Sequence, residues 1–285
     1  MPAHIAPCDS NTLSPFLAWI LRGLLWLAVL VLPGCASLLR APAVSERDMP
    51  PTDEMLQGMN IDLLCPSPYP SLRIEVDWYA DYRPGEKAIA ALKKCAATYC
   101  SKPGGIEVVV DDPFTLEQAL VPTGEEGTDG DAGDLDIAAL ADHRPADHGT
   151  YYLHVIYLGR GHFKDTRRSS LLGAADVAAD GSALILMFRE AIDRAAFLWI
   201  RPGAVERQVL LHEFGHVMGL VSSPAHSSDG YHCINPGCAM YRGVDVRSVL
   251  VNLIPGLFLG RLPNGFCHEC KADLSSARNA DPAGR

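Results

Sequence analysis

Two histidines four residues apart, with a glutamate directly after the first, constrain this chain more than any other feature of its sequence. They are His212, Glu213 and His216. On an α-helix, residues four apart project from the same face about one turn apart, so both imidazoles can bind one metal ion. Glu213 lies about 100° further round the helix, where its carboxylate can reach a metal-bound water without being a ligand. Zinc suits this arrangement, because it lowers the pKa of such a water towards about 7 and a carboxylate can then take the proton.

A catalytic zinc needs a third protein ligand and one open position, so the sequence after the helix must supply another donor. Gly219 predicts the end of the helix, because glycine adopts the left-handed conformation that turns the chain back. Two histidines follow this turn, His226 and His232. An irregular loop can bring either of them to the metal, so the spacing alone leaves both candidates open.

The residues from His212 to Gly219 resemble the opening of the metzincin motif, in which two helical histidines and a glycine follow one another at these spacings. In most metzincins the third histidine follows three residues after the glycine. Ser222 occupies that position here. Ten residues, 221–230, are inserted before the next His-Cys pair relative to the related archaemetzincin pattern.

The sequence beyond this insertion resembles the archaemetzincin signature. The matching residues are a His-Cys pair, a second cysteine, a methionine and a final Cys-x-x-Cys, namely His232, Cys233, Cys238, Met240, Cys267 and Cys270. The resemblance implies that His232 is the third catalytic ligand, with His226 as the alternative. It also implies that Met240 forms the Met-turn beneath the zinc and that the four cysteines bind a second, structural zinc. Two disulfides are the alternative for these cysteines in an oxidising compartment.

Hydrophobic patterns predict the order of the secondary structure. Strands are predicted at 72–79, 106–110, 151–158 and 183–188, and helices at 84–99 and 205–220. This order predicts one α/β (α+β) domain with a mixed, mostly parallel, twisted sheet, an active-site helix and an irregular C-terminal part. The resemblance implies that this domain is a metzincin-like zincin. Residues 171–175 are predicted to form an edge strand that pairs with the substrate backbone.

The first 35 residues predict an export signal. An apolar run from Phe16 to Leu32 ends in Pro33-Gly34-Cys35, as in a secretory leader. The cysteine resembles that of the bacterial lipobox, which implies lipidation of Cys35 and a membrane-anchored lipoprotein of the cell envelope. An uncleaved anchor is the alternative, because about 17 apolar residues is the short limit for crossing a bilayer; a misassigned start site is a third explanation. Residues 36–70 predict a proline-rich tether, 71–275 the catalytic domain and 276–285 a tail.

The net charge and the cysteines limit the classes of partner and the covalent links that the sequence predicts. The net charge of −10 disfavours nucleic acid, which needs clustered Lys and Arg. Among the remaining cysteines, Cys95 and Cys100 are expected to form a local disulfide.

Taken together, the motifs predict a zinc metallopeptidase that acts on a peptide or protein, with Glu213 as general base and then general acid. The alternative is a membrane-anchored zinc-binding interaction module without turnover.

Overall fold

A computed structural model of the protein describes residues 58–115, 137–159, 171–178, 181–196, 200–221, 225–227, 229–241, 262–263 and 265–279. The predicted export signal, with Cys35, and most of the predicted tether lie outside these residues. None of the helices in the described ranges has the length and apolar character needed to cross a bilayer.

Six helices and five strands form the described part of the chain. In chain order they are α1 Ile61–Leu64, β1 Ser71–Trp78, α2 Glu86–Tyr99, β2 Gly105–Val110, α3 Ile137–Leu140, β3 Thr150–Leu158, β4 Gly173–Val177, β5 Ala183–Phe188, α4 Arg189–Ala195, α5 Pro202–Val217 and α6 His268–Asn279. The four predicted strands correspond to β1, β2, β3 and β5, and the two predicted helices to α2 and α5, with ends shifted by up to three residues.

The five strands form one sheet in the order β2-β1-β3-β5-β4. Strand β1 pairs in parallel with β2 and β3, and β3 pairs in parallel with β5. Strand β4 is antiparallel to β5 and lies at the edge of the sheet. This topology confirms the predicted α/β class with a mixed, mostly parallel sheet. It also places β4 where an edge strand was predicted.

One buried carboxylate on α5 fixes this helix against its neighbours. Helix α5 packs on α2, α4, β4 and β5. The Glu206 side chain accepts a hydrogen bond of 2.7 Å from the backbone N–H of Gly85, directly before α2. It also pairs at 2.9 Å with Arg189 of α4. Because Glu206 is 1% exposed, losing either partner would leave a buried charge poorly compensated. These contacts position the first turns of α5, and the two histidines follow on its last turns.

The face of the sheet that points away from α5 carries a buried polar cluster. Successive residues of a strand point to opposite faces, so Glu75 and Asp77 of β1 lie opposite the apolar core positions. Across the pairing, Tyr152 donates a hydrogen bond to Glu75, and a ring nitrogen of His154 lies 2.5 Å from the Asp77 carboxylate. Burial raises the pKa of Glu75, although the Tyr152 hydrogen bond opposes this. The sheet therefore separates two polar centres, one on each of its faces.

The described fold extends beyond the limits predicted for the catalytic domain. Leu63 and Leu64 of α1 are fully buried, and α1 packs on α6. The sequence assigns α1 to the tether, because four residues are too short to show helical periodicity. Helix α6 lies in the part predicted to be irregular and runs past residue 275.

The disulfide predicted between Cys95 and Cys100 is wrong, since both are free, buried thiols. Cys95 lies in α2 and Cys100 directly follows it. Positions five apart on a helix lie about 140° apart round its axis, which points their side chains in different directions. Burial raises the pKa of both thiols, that of Cys100 to about 12.

Candidate metal centre

Helix α5 ends in a tight turn directly below its two histidines. The backbone N–H of Gly219 donates to the His216 carbonyl at 2.9 Å, and that of Leu220 donates to the Gly215 carbonyl at 3.0 Å. This pair of hydrogen bonds is a Schellman motif, which needs a residue in the left-handed conformation after the helix. Gly219 supplies it with φ +77°, as the sequence predicts. A Cβ at Gly219 would overlap with the Gly58 carbonyl, so close packing also requires glycine here.

The turn is held from outside by Asn60, which precedes α1. Its backbone N–H donates to the Met218 carbonyl at 3.1 Å, and its side-chain amide donates to the Val217 carbonyl at 3.0 Å. These bonds satisfy carbonyls that the end of a helix leaves without partners. The N-terminal segment of the described chain thereby fixes the end of α5.

Three histidines converge above this turn. One ring nitrogen each of His212, His216 and His232 lies within 4.8 Å of the other two. The Nε2 atoms of His212 and His216 are 3.1 Å apart. The His232 ring stacks on the His212 ring at 5.3 Å between centroids. Zinc–nitrogen bonds of about 2.0–2.1 Å in a tetrahedron place two nitrogens about 3.3 Å apart, so this spacing fits one shared zinc ion.

The protonation of the histidines also fits a metal. The Nδ1–H of His212 donates to the Ala239 carbonyl at 2.8 Å, because a carbonyl can only accept, and this leaves the Nε2 lone pair for a ligand. Burial lowers the pKa of His212 to about 4 and that of His216 to about 3. Both imidazoles are therefore neutral near pH 7, which is the form that binds metal.

His226, the other candidate for the third ligand, lies elsewhere. Its Nε2 is 2.7 Å from the Asp273 carboxylate of α6, and both side chains are nearly buried. The hydrogen bond to Asp273 raises the pKa of His226, which favours the charged form over the neutral form that a metal needs. The structure thus brings His232 to the helical histidines, whereas His226 attaches residues 225–227 to α6.

Glu213 is buried next to the edge strand. It is 8% exposed, and burial raises its pKa to about 8. A Cβ at Gly173, the first residue of β4, would come within 2.8 Å of the Glu213 Cγ and 2.9 Å of one carboxylate oxygen. Glycine at this position therefore lets the edge strand approach the carboxylate closely.

Met240 lies under the same helix. Its side chain is fully buried, and its sulfur packs so closely on Gly215 that a Cβ there would overlap with it. The backbone of Met240 accepts a hydrogen bond of 2.8 Å from the N–H of Cys233. Met240 thus supports the helix between the two histidines by packing.

The four C-terminal cysteines form a second group. Their sulfurs lie within 4.8 Å of one another, with 3.7 Å between Cys233 and Cys267 and 3.6 Å between Cys238 and Cys270. All four are free thiols. A tetrahedral zinc with bonds of about 2.3 Å to sulfur places neighbouring sulfurs about 3.8 Å apart. Hydrogen bonding to Cys233 lowers the pKa of Cys267 to about 5, so this donor set can supply thiolate.

A cleft of about 520 Å³ opens beside His216 and His232. Strand β4, the turn after α5 and the loop before His232 form its walls. The apolar part of the lining comes from Ala175, Val177, Leu220 and Tyr231. The edge of the sheet, the three histidines and an apolar recess therefore adjoin one another.

Three groups that shape this centre are not predicted from the sequence. The Ala239 carbonyl orients His212, yet a backbone group cannot be recognised from residue type. Asp229 contacts His232 at 2.9 Å; its place three residues earlier in a polar loop was a signal that the sequence interpretation did not use. Asp273, the partner of His226, lies on a helix that was not predicted.

Comparisons with known proteins add a fold-level likeness. No protein-family model matches this chain, and none of the curated proteins matches its sequence. One solved structure that is similar is archaemetzincin from Methanopyrus kandleri, determined by crystallography at 1.5 Å resolution. The two chains are 15% identical, the match covers 73% of this chain and 96% of the other, and the TM-score is 0.43. The function proposed below therefore depends on this chain's own residues.

The contact between Gly173 and Glu213 gives a prediction. Gly173→Ala should destabilise the protein by about 1–3 kcal/mol, because an added methyl overpacks the buried space that Glu213 and Val209 already fill. Chemical denaturation of the two proteins measures this difference. Gly203→Ala is the control, since nothing lies within 4 Å of a Cβ at Gly203, and it should be neutral or stabilising by up to about 1 kcal/mol, because alanine favours the helix. Equal stabilities of the two variants would contradict the close approach of β4 to Glu213.

Proposed function

We propose that this protein is a zinc-dependent peptidase whose zinc is held by His212, His216 and His232. The observation that carries the proposal is the convergence of three imidazoles beside a buried carboxylate that is not one of the ligands. A site used only to hold a metal has no need of Glu213. No ion-pair partner of that carboxylate lies among the described residues, so its burial costs free energy. A role in proton transfer accounts for its presence.

The chemistry follows from the positions of these groups. A zinc ion bound there would polarise the scissile carbonyl and acidify a water molecule. Glu213 takes the proton from the water as general base and delivers it to the leaving amine as general acid. Its pKa, raised to about 8 by burial, lies near neutrality, which suits a group that must both accept and release a proton.

The edge strand β4 offers backbone groups with which an extended substrate can pair across the site. Strand β4 begins at Gly173, against Glu213, and its Ala175 and Val177 continue along the cleft past His216. An extended peptide that pairs with β4 would run across the histidines with alternate side chains directed into the apolar recess. This arrangement supports action on an extended peptide or protein segment.

The four cysteines are proposed to hold a second, structural zinc. Two of them, Cys233 and Cys238, lie on the segment that also carries His232 and the Ala239 carbonyl. A zinc bound by the cysteines would fix this segment to α6 through Cys267 and Cys270, and so would stabilise the geometry of the histidines.

Glu213→Gln tests the mechanism. The variant should lose hydrolysis of a mixed peptide library by at least about 100-fold, because an amide cannot accept the proton, while zinc content per chain stays unchanged. Chelation of the wild-type protein should abolish the same activity, and added zinc should restore it. Retained turnover in Glu213→Gln at full zinc content would contradict the proposed role, and wild type that binds zinc without turnover would support the interaction module.

A pair of alanine variants tests the third ligand. His232→Ala should lose activity and one zinc ion per chain, from about two to about one if the cysteines also bind zinc. His226→Ala should keep both zinc and activity, since His226 contacts Asp273 and not the other histidines. Metal analysis after dialysis and peptide hydrolysis measure the outcome. Loss of the catalytic zinc in His226→Ala, with His232→Ala unaffected, would show that His226 is the ligand.

The proposed location is the cell envelope, with Cys35 as the lipidated N-terminal residue of the mature chain. The support is the apolar run of the sequence and its Pro33-Gly34-Cys35 ending. Cys35→Ser should abolish metabolic labelling with a fatty acid and move the protein out of the membrane fraction. Cys8→Ser is the control and should change neither, because Cys8 precedes the apolar run. An intact mass that includes residues 1–34 would favour the uncleaved anchor.

A further inference from the structure

The inserted segment before His232 contains, one residue before its end, an aspartate that contacts the ring of this histidine. The two carboxylate oxygens of Asp229 lie 2.9 and 3.1 Å from the Nδ1 of His232. One of them also accepts the backbone N–H of His232 at 2.9 Å and that of Tyr231 at 3.1 Å. The two side chains are only 24% and 25% exposed. Asp229 therefore binds both the ring of His232 and the backbone N–H groups of Tyr231 and His232.

These contacts fix which nitrogen of His232 is left for a ligand. An ionised carboxylate can only accept hydrogen bonds, so the Nδ1 of His232 must carry hydrogen. The Nε2 lone pair then points away from Asp229, and the ring brings one of its nitrogens within 4.8 Å of those of His212 and His216. An imidazole whose second nitrogen donates to a carboxylate is also the more basic and better oriented metal ligand.

His232 depends on such a partner more than the other two histidines do. His212 and His216 lie on α5, and the helix backbone fixes where their side chains point. The Ala239 carbonyl additionally orients the ring of His212. His232 lies in an irregular segment, outside the helices and strands of the described residues. The hydrogen bond between the Gly230 N–H and the Ser227 hydroxyl, 2.7 Å, stabilises the same loop without touching His232.

We propose that Asp229 is a positioning residue that fixes the tautomer and ring direction of His232 and so completes the three-nitrogen zinc site. The insertion that separates this chain from the archaemetzincin pattern therefore supplies a functional group. The proposal rests on the proposed function only in taking His232 as a zinc ligand.

Three variants of the full chain test the proposal: Asp229→Ala, Asp229→Asn and Ser227→Ala. The readouts are the zinc dissociation constant, from competition with a chromophoric chelator, and the electronic absorption spectrum of the cobalt-substituted protein. The same titration of His216→Ala identifies zinc bound by the cysteines alone. Thermal denaturation of the zinc-loaded proteins identifies any variant that fails to fold.

Asp229→Ala should weaken zinc at the histidines about 10–100-fold and change the cobalt spectrum, as is typical of losing the hydrogen-bond partner of a ligand. Asp229→Asn should lie between this variant and wild type, because an amide oxygen still accepts from Nδ1–H but carries no charge. Ser227→Ala should bind zinc as wild type does, since it alters the loop without changing the partner of His232.

Unchanged affinity and an unchanged cobalt spectrum in Asp229→Ala would overturn the proposal. So would an equal loss of affinity in Ser227→Ala, which would assign the effect to the order of the loop. Wild-type protein that binds zinc tightly at the histidines but cleaves no peptide would contradict the proposed function alone, because the affinity readout does not depend on turnover.

Discussion

The hydrogen bond from the His212 ring to the Ala239 carbonyl connects the two halves of the candidate centre. On one side it sets the tautomer of a histidine on α5. On the other side, Ala239 lies between Cys238 of the cysteine group and Met240 under the helix. The N–H of Ala239 in turn donates to the Gly265 carbonyl at 2.8 Å, just before the last two cysteines. A single peptide segment thus links the histidine group to the cysteine group.

Burial shifts the pKa values of the two helical histidines and of Glu213 in opposite directions. The same loss of water that keeps His212 and His216 neutral also raises the pKa of Glu213. A neutral imidazole is the metal-binding form, and a carboxylate that holds its proton more tightly is the better base. The surroundings of α5 therefore prepare both kinds of group by one physical effect. On the more exposed loop, His232 is paired directly with Asp229.

The sequence predicted what depends on local pattern and missed what depends on tertiary contacts. The spacing of His212 and His216 predicted a helix with both imidazoles on one face, and Gly219 predicted where that helix ends. The alternation of apolar and polar residues located β1. Spacing could not decide between His226 and His232, because the choice depends on Asp273 and Asp229, whose side chains reach these histidines only through the fold. Likewise α1 is buried because α6 covers it, and four residues alone cannot show that.

The attachment of Asn60 to the end of α5 has a consequence for how the centre is assembled. The amide of Asn60 and the carbonyl it binds on Val217 are 157 residues apart in the chain. Contacts between such distant positions form late, because a long loop must close before they contribute any free energy. The histidines of α5 therefore reach their final support only when nearly the whole domain has been synthesised and has collapsed. A segment that lacks Asn60 can form the helix but leaves the carbonyls at its end without this support.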